Sequence, residues 1–376
     1  MAHEDITLHW FLSTTGDSRS IMSGGHGSGV ATQDRDINLR YLKQLALAAE
    51  TNGFESMLTP TGLWCEDAWL ATAALLDATD TIKFLVAIRP GLVAPTLIAQ
   101  QAVTYQRLSN NRLLLNVVVG GEDHEQAAYG DHSTKGERYW RADESLQIAR
   151  RLWTEDGPVS FQGEYYNIVN AQLKDRPEVL PKIFLGGSSA DGIEVAARQV
   201  DTYITWGEPV EPAQAKIKRV QDAAQRHGRE LDYAIRLHVI ARDTSEEAWH
   251  VAQKLLDGVD PAEVRKIQQG LALSQSEGQR RMSELHGRGA DFHHGADAHS
   301  LEVAPNLWAG IGLLRGGAGT ALVGSYDEVA ERIQDYYNAG FTQFVLSGYP
   351  QLEESFHVGE GVVPALQRRG ISIKNH

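Results

Sequence analysis

Short apolar, β-branched runs alternate along this chain with longer segments in which apolar residues recur every three or four positions. The pattern predicts strands near residues 6–12, 54–59, 82–88, 113–119, 182–185, 202–205, 233–240 and 343–346. Helical periodicity fills the gaps at 37–52, 67–79, 95–109, 137–153, 190–199, 211–227, 245–257 and 326–339, with Leu42, Leu45, Ala46 and Ala49 on one face of the first. Strands that mostly lack a polar alternate face, each paired with a helix, read as a parallel sheet covered on its outer side. An open doubly wound sheet would carry an early glycine-rich dinucleotide turn, and the sequence has none. The expected architecture is therefore α/β, a (β/α)8 TIM barrel, forming one domain over residues 1–376.

Two stretches break the repeat, 18–36 and 258–320. Active sites of such barrels are built from the loops that follow the strands, so insertions after the first and seventh strands are expected to lie over the C-terminal mouth as lids. Within the second, residues 304–324 hold six glycines and a single arginine, Arg315, and read as a folded loop set against a ligand. His293, His294 and His299 lack helical or strand spacing and read as a solvated tip rather than a metal site.

Composition narrows the chemistry. In a chain of 376 residues with a formal charge of −14 and no basic stripe, nucleic acid is an unfavourable partner. One cysteine, Cys65, forms neither an internal disulfide nor a multi-thiolate metal centre. The N-terminal residues carry no basic segment followed by an apolar run, and nowhere do about eighteen apolar residues follow one another, so no membrane partner and a cytoplasmic location are expected. An anionic small molecule would need local arginines, and Arg236 and Arg315 are the candidates.

The residues that carry chemistry lie at strand ends. Gly186-Gly187-Ser188-Ser189 closes the fifth strand and opens a helix, so backbone N–H groups, hydroxyls and the helix N-terminus favour a phosphate; a glycine-assisted turn with a serine N-cap explains the same residues. Asn116 interrupts an apolar strand, where an amide is costly without a partner. Arg236 and His238 alternate on strand seven and so share a face, which is the lumen or mouth rather than the dry side. Tyr349 follows strand eight in Ser347-Gly348-Tyr349-Pro350.

These blocks, with Cys65-Glu66-Asp67-Ala68-Trp69, resemble the alkanesulfonate monooxygenases of the bacterial luciferase-like, flavin-dependent family, from about Trp10 to Pro364. The resemblance implies reduced flavin mononucleotide (FMN) supplied by a separate NAD(P)H-dependent flavin reductase, dioxygen, cleavage of a C–S bond to sulfite and an aldehyde, and a homo-oligomer, dimer or tetramer. By position it also implies flavin contacts from Thr61, Asn116, Glu125, Arg138, Tyr139, Gly187, Ser188 and Ser189. Its catalytic group would be Arg236, His238, Arg315, Tyr349 and Cys65, the cysteine reading more readily as pocket wall than as nucleophile because Glu66 and Asp67 adjoin it.

Departures cluster around the substrate pocket. Where the family carries a histidine after strand one this chain has Thr15; an arginine and a serine are replaced by Leu63 and Trp64; and Gln351 stands in place of a histidine. Loss of polar and basic groups, with a tryptophan offering a stacking face, suits a larger neutral or aromatic substrate. The alternative expectation is thus a riboflavin lyase, which splits the ribityl chain from a second flavin. A non-catalytic flavin-binding protein and a deazaflavin-dependent dehydrogenase are further readings.

Overall fold

The computed structural model describes residues 5–21 and 34–374. Eight strands run parallel in a closed ring: β1 (Thr7–Phe11), β2 (Ser56–Thr59), β3 (Lys83–Ile88), β4 (Leu113–Val117), β5 (Ile183–Leu185), β6 (Thr202–Trp206), β7 (Asp232–Arg242) and β8 (Gln343–Ser347). Closure is explicit in the register, because Thr7–Trp10 of β1 face Gln343–Leu346 of β8 while His9–Phe11 face Ser56–Leu58 of β2. The fold is a (β/α)8 TIM barrel.

Period-two alternation decides what fills it. One side chain from each strand (Phe11, Leu58, Leu85, Leu114, Phe184, Ile204, Ala234 and Val345) forms a separate apolar layer in the lumen. Their neighbours face outward and merge with the helices in a much larger core around Trp10, Phe54, Phe84, Tyr203 and Phe344. Below the layer the lumen is polar. His9 Nδ1 and Nε2 are bonded to Ser56 Oγ (2.7 Å) and Gln343 Oε1 (3.0 Å), and Gln343 Nε2 donates to Asp232 at 3.0 Å. Burial pushes His9 down to about 4, so the ring is neutral and plugs the N-terminal end. The C-terminal end is left for chemistry.

The segment expected to be a lid is more regular than its glycines suggested. It contains helices Pro261–Leu271 and Glu277–Leu285, and an antiparallel ribbon of Glu302–Ala304, Leu307–Trp308 and Ala321–Ser325. The ribbon exists because β7 overshoots the barrel. Its first half pairs with β6 and β8, whereas His238–Arg242 pair in parallel with Ala321–Ser325 where β6 has already ended. Every residue from 307 to 324 is buried, and Trp308, Ile311 and Leu313 sit with Trp249 in a second core beside the mouth. Of the other expected lid, 18–36, residues 22–33 lie outside the described residues. The tip histidines His293 and His294 are exposed, His299 stacks on Trp249 (3.9 Å between centroids), and no metal-holding cluster occurs among the described residues. No described helix is long and apolar enough to cross a membrane.

Candidate active site

A cleft of about 1320 Å³, mouth included, opens at the C-terminal ends of β1–β7. Of the residues singled out in the sequence, Thr61, Trp64, Asn116, Tyr139, Gly187, Ser188, Arg236 and Arg315 line it.

One end of the cleft is a turn that brings the backbone close. A Cβ on Gly186 would fall 2.7 Å from the Ile204 carbonyl oxygen, and one on Gly187 would fall 2.4 Å from Tyr139 Oη, so both positions require glycine for a close backbone approach. Ser189 caps the helix Ala190–Gln199 by accepting from Gly192 N, and Tyr203 Oη donates to the Gly187 carbonyl at 2.8 Å. That fixes the turn with Ser188 in the cleft and the helix N-terminus behind it.

The floor carries unbalanced positive charge. The Arg236 guanidinium lies 4.0 Å above the centroid of Phe11, and Arg315 lies 5.7 Å from the same ring. Cation–π contact with a desolvated arginine contributes about 2 kcal/mol, yet neither arginine has an ion-paired carboxylate among the described residues, and Arg236 Nε, Arg236 Nη2 and Arg315 Nε lack hydrogen-bond partners. Burial first, then repulsion from Arg315, pushes Arg236 toward its neutral form. An anion or an electron-rich oxygen between them would relieve both penalties.

Tyr349 and His238 stand behind this pair rather than in the cleft. Arg315 Nη1 donates to Tyr349 Oη at 3.3 Å, and the Tyr349 ring stacks on His238 at 5.4 Å with planes 10° apart. A carbonyl only accepts, so His238 Nε2, 3.2 Å from Ala318 O, carries the proton while Nδ1 accepts from Ser347 Oγ at 2.9 Å. Both ring nitrogens are engaged within the protein. Burial and the two arginines hold His238 well below the usual histidine range, hence neutral.

The remaining sequence candidates are supports. Glu125 accepts from Leu63 N (3.0 Å) and pairs with Arg89 (2.8 Å), which also donates to the Thr61 carbonyl; together they shape the loop that carries Trp64. Leu63 itself is 61% exposed. Arg138 is buried but turned to Asp123 and the Ser133 carbonyl. Cys65 is half-buried, its thiol on the Gly62 carbonyl and pushed up to about 12 by burial, which favours the thiol over the thiolate. Thr15 bonds Ser13, and Gln351 accepts from Ser13 N while its own N–H donates to Asp17.

Several cleft residues went unread in the sequence: Trp206, Glu122, Lys135, Glu208, Lys216, Gln279 and Met282. Lys216 had a signal, since it sits in phase with Ala213 and Val220 on the buried stripe of the helix Val210–Arg226, where a lysine is out of place. Its ammonium donates to Thr205 Oγ1 (2.9 Å) and pairs with Glu208 (2.8 Å), and Arg281 of the lid helix closes on the same carboxylate. Gln279 Oε1 accepts from Gly317 N at 2.8 Å, tying that helix to the Arg315 segment.

Compared with known families, residues 7–343 match the luciferase-like monooxygenases. The chain belongs to that family. A luciferase-like monooxygenase is an oxidoreductase, and the eight-stranded parallel barrel is this chain's version of its fold. Among solved structures, a riboflavin lyase bound to modified FMN and its substrate riboflavin is 20% identical, with a TM-score of 0.79 over 99% of this chain and 93% of that one. DmoA from Hyphomicrobium sulfonivorans is also 20% identical, at TM-score 0.79 and coverages of 99% and 90%. EDTA monooxygenase from Chelativorans sp. BNC1 is 18% identical, with TM-score 0.75 and coverages of 98% and 95%. At these identities the likeness is one of fold.

Proposed function

We propose that this luciferase-like monooxygenase uses FMN, delivered reduced by a separate reductase, to oxygenate an organic substrate held over Phe11. The group fits the residues present: the Gly186-Gly187 approach, Ser188, Ser189 and Tyr139 suit its phosphate, and Asn116 and Thr61 line the wall leading from there to the arginine floor. When bound and reduced, the flavin supplies electrons to dioxygen. The protein's part is to hold negative charge at Arg236 and Arg315, to keep Arg315 aimed through Tyr349, and to exclude water with the helix Glu277–Leu285 and residues 315–317.

The observation that carries this reading is a pair of guanidinium groups without a carboxylate partner among the described residues, lining a cleft that also holds the glycine–serine turn. It favours an organosulfonate, whose headgroup matches two arginines. The test is sulfite release, dependent on oxygen and a flavin reductase, across a panel of alkanesulfonates; absence of sulfite at every chain length removes this substrate class.

A second reading has its own support. Trp64, Trp206 and Phe11 make the cleft broad and aromatic, and Glu122 places a carboxylate in it, features suited to a flat substrate such as riboflavin. Chromatography for lumichrome after incubation with riboflavin, reduced FMN and oxygen decides it.

A further inference from the structure

Glu122 is a buried carboxylate that nothing in the flavin scheme uses. It follows the Gly120-Gly121 turn at the end of β4, is 3% exposed, and lines the cleft on the side where the lid segment crosses it. Ser274 of that segment donates to the carboxylate, but Oε1 has no hydrogen-bond partner. No arginine or lysine among the described residues forms an ion pair with it; Lys135, also in the cleft, donates instead to the Gln275 carbonyl at 3.0 Å. The lid segment packs against this turn, Ser276 lying at ordinary van der Waals distance, 3.5 Å, from where a Cβ on Gly121 would sit.

A desolvated acceptor oxygen with nothing to accept is costly unless a ligand completes it. The arginines occupy the floor and Glu122 the lip, so the cleft offers unsatisfied donors at the floor and an unsatisfied acceptor oxygen at the lip. An organosulfonate with a plain alkyl chain satisfies the first end only. We propose that Glu122 recognises hydroxyl donors on a polyol chain of the substrate, so that the site selects a molecule with an electron-rich or aromatic end over Phe11 and a hydroxylated chain reaching the lip. This inference rests on the second reading above.

The test compares riboflavin with lumiflavin, which has the same ring system and no polyol, on protein first saturated with FMN. Equilibrium dialysis with chromatographic separation of the flavins gives each affinity. Wild-type protein is expected to prefer riboflavin by about tenfold or more, the discrimination of a site built around a hydrogen-bonded hydroxyl. In Glu122→Ala that preference is expected to collapse to about twofold, with Glu122→Gln, which keeps an acceptor oxygen, recovering part of it. FMN affinity, measured separately, should stay within about twofold in both variants, which also shows that they are folded. An unchanged preference in Glu122→Ala overturns the inference, as does a loss confined to FMN affinity, which would assign the carboxylate to the cofactor's own chain. Failure of wild-type protein to bind FMN at all refutes instead the flavin reading on which the inference stands.

Discussion

At the scale of single residues, Arg315 and Gly187 separate the two ends of the cleft. Arg315 reaches the floor from the segment 304–324, held by Tyr349 and lying 5.7 Å from the Phe11 ring. Arg315→Ala is therefore expected to lower product formation at least tenfold, with more of the reduced flavin oxidised without product, while FMN affinity changes little. Rapid-mixing kinetics alongside a binding titration check both halves. Gly187→Ala should do the reverse. A Cβ 2.4 Å from Tyr139 Oη forces the tyrosine or the turn to move, so FMN affinity is expected to fall about tenfold or more, and riboflavin, which lacks the phosphate, should lose less. His238 belongs to neither end. With Nε2–H given to Ala318 and Nδ1 occupied by Ser347, it is expected to position Tyr349 and Arg315 rather than to move protons, so His238→Gln should lower turnover without shifting the pH profile of kcat. A shifted profile would restore a proton-transfer role to the ring.

At the scale of elements, the helix Glu277–Leu285 is held down by a charge cluster that rewards a comparison of variants. Glu208 and Lys216 are each about 2–3% exposed on their side chains, and Arg281 of the helix, about a quarter exposed, joins them from above. Removing the Glu208 side chain leaves a buried ammonium with only Thr205 Oγ1, so Glu208→Ala is expected to cost about 3 kcal/mol or more in chemical denaturation. Removing Arg281 leaves the Glu208–Lys216 pair intact. Arg281→Ala should cost less in global stability but raise amide exchange selectively across 277–285. Equal global losses in the two variants would mean that the cluster stabilises the barrel, not the lid. The elements themselves were largely legible: the eight barrel strands and the helices Pro95–Ser109, Ala190–Gln199 and Ser245–Asp257 fall where apolar periodicity puts them. The ribbon at 302–325 was not. Its register depends on β7 running past the barrel, a long-range pairing that no local period encodes, and its glycines disguise a buried strand as a loop. Residue chemistry follows the same division. Strand-end signals such as Asn116 and Arg236 could be read, whereas Glu122 and Glu208 carry no local signal and draw their partners from distant segments, Ser274 for the one and Lys216 and Arg281 for the other.

The whole molecule couples its two cores to pH through histidines that burial keeps neutral. His9 lies at the closed bottom of the barrel and His286 at the end of the lid helix, its ring against Gly312 and both nitrogens unpartnered; burial pushes each down to about 4. In the unfolded chain each titrates near 6.5. The unfolded state thus binds more protons than the native state between about pH 6.5 and 4, and stability falls with pH in that window. The contribution is complete above about 6.5, and each histidine removes roughly 2 kcal/mol by pH 5. Asp17, Glu122 and Glu354, buried carboxyls whose affinity for protons is raised, act with the opposite sign and temper the loss. Thermal unfolding in a buffer series from pH 7.5 to about 5 should show a falling midpoint. His286→Leu removes one titration without removing a hydrogen bond to any other residue among those described. The variant should therefore show a shallower pH slope than wild type, and in hydrogen exchange the acid-induced opening of wild type should begin at the lid before the barrel strands. Coincident slopes for the two proteins would remove His286 from the account and leave the closed end of the barrel as the acid-sensitive part.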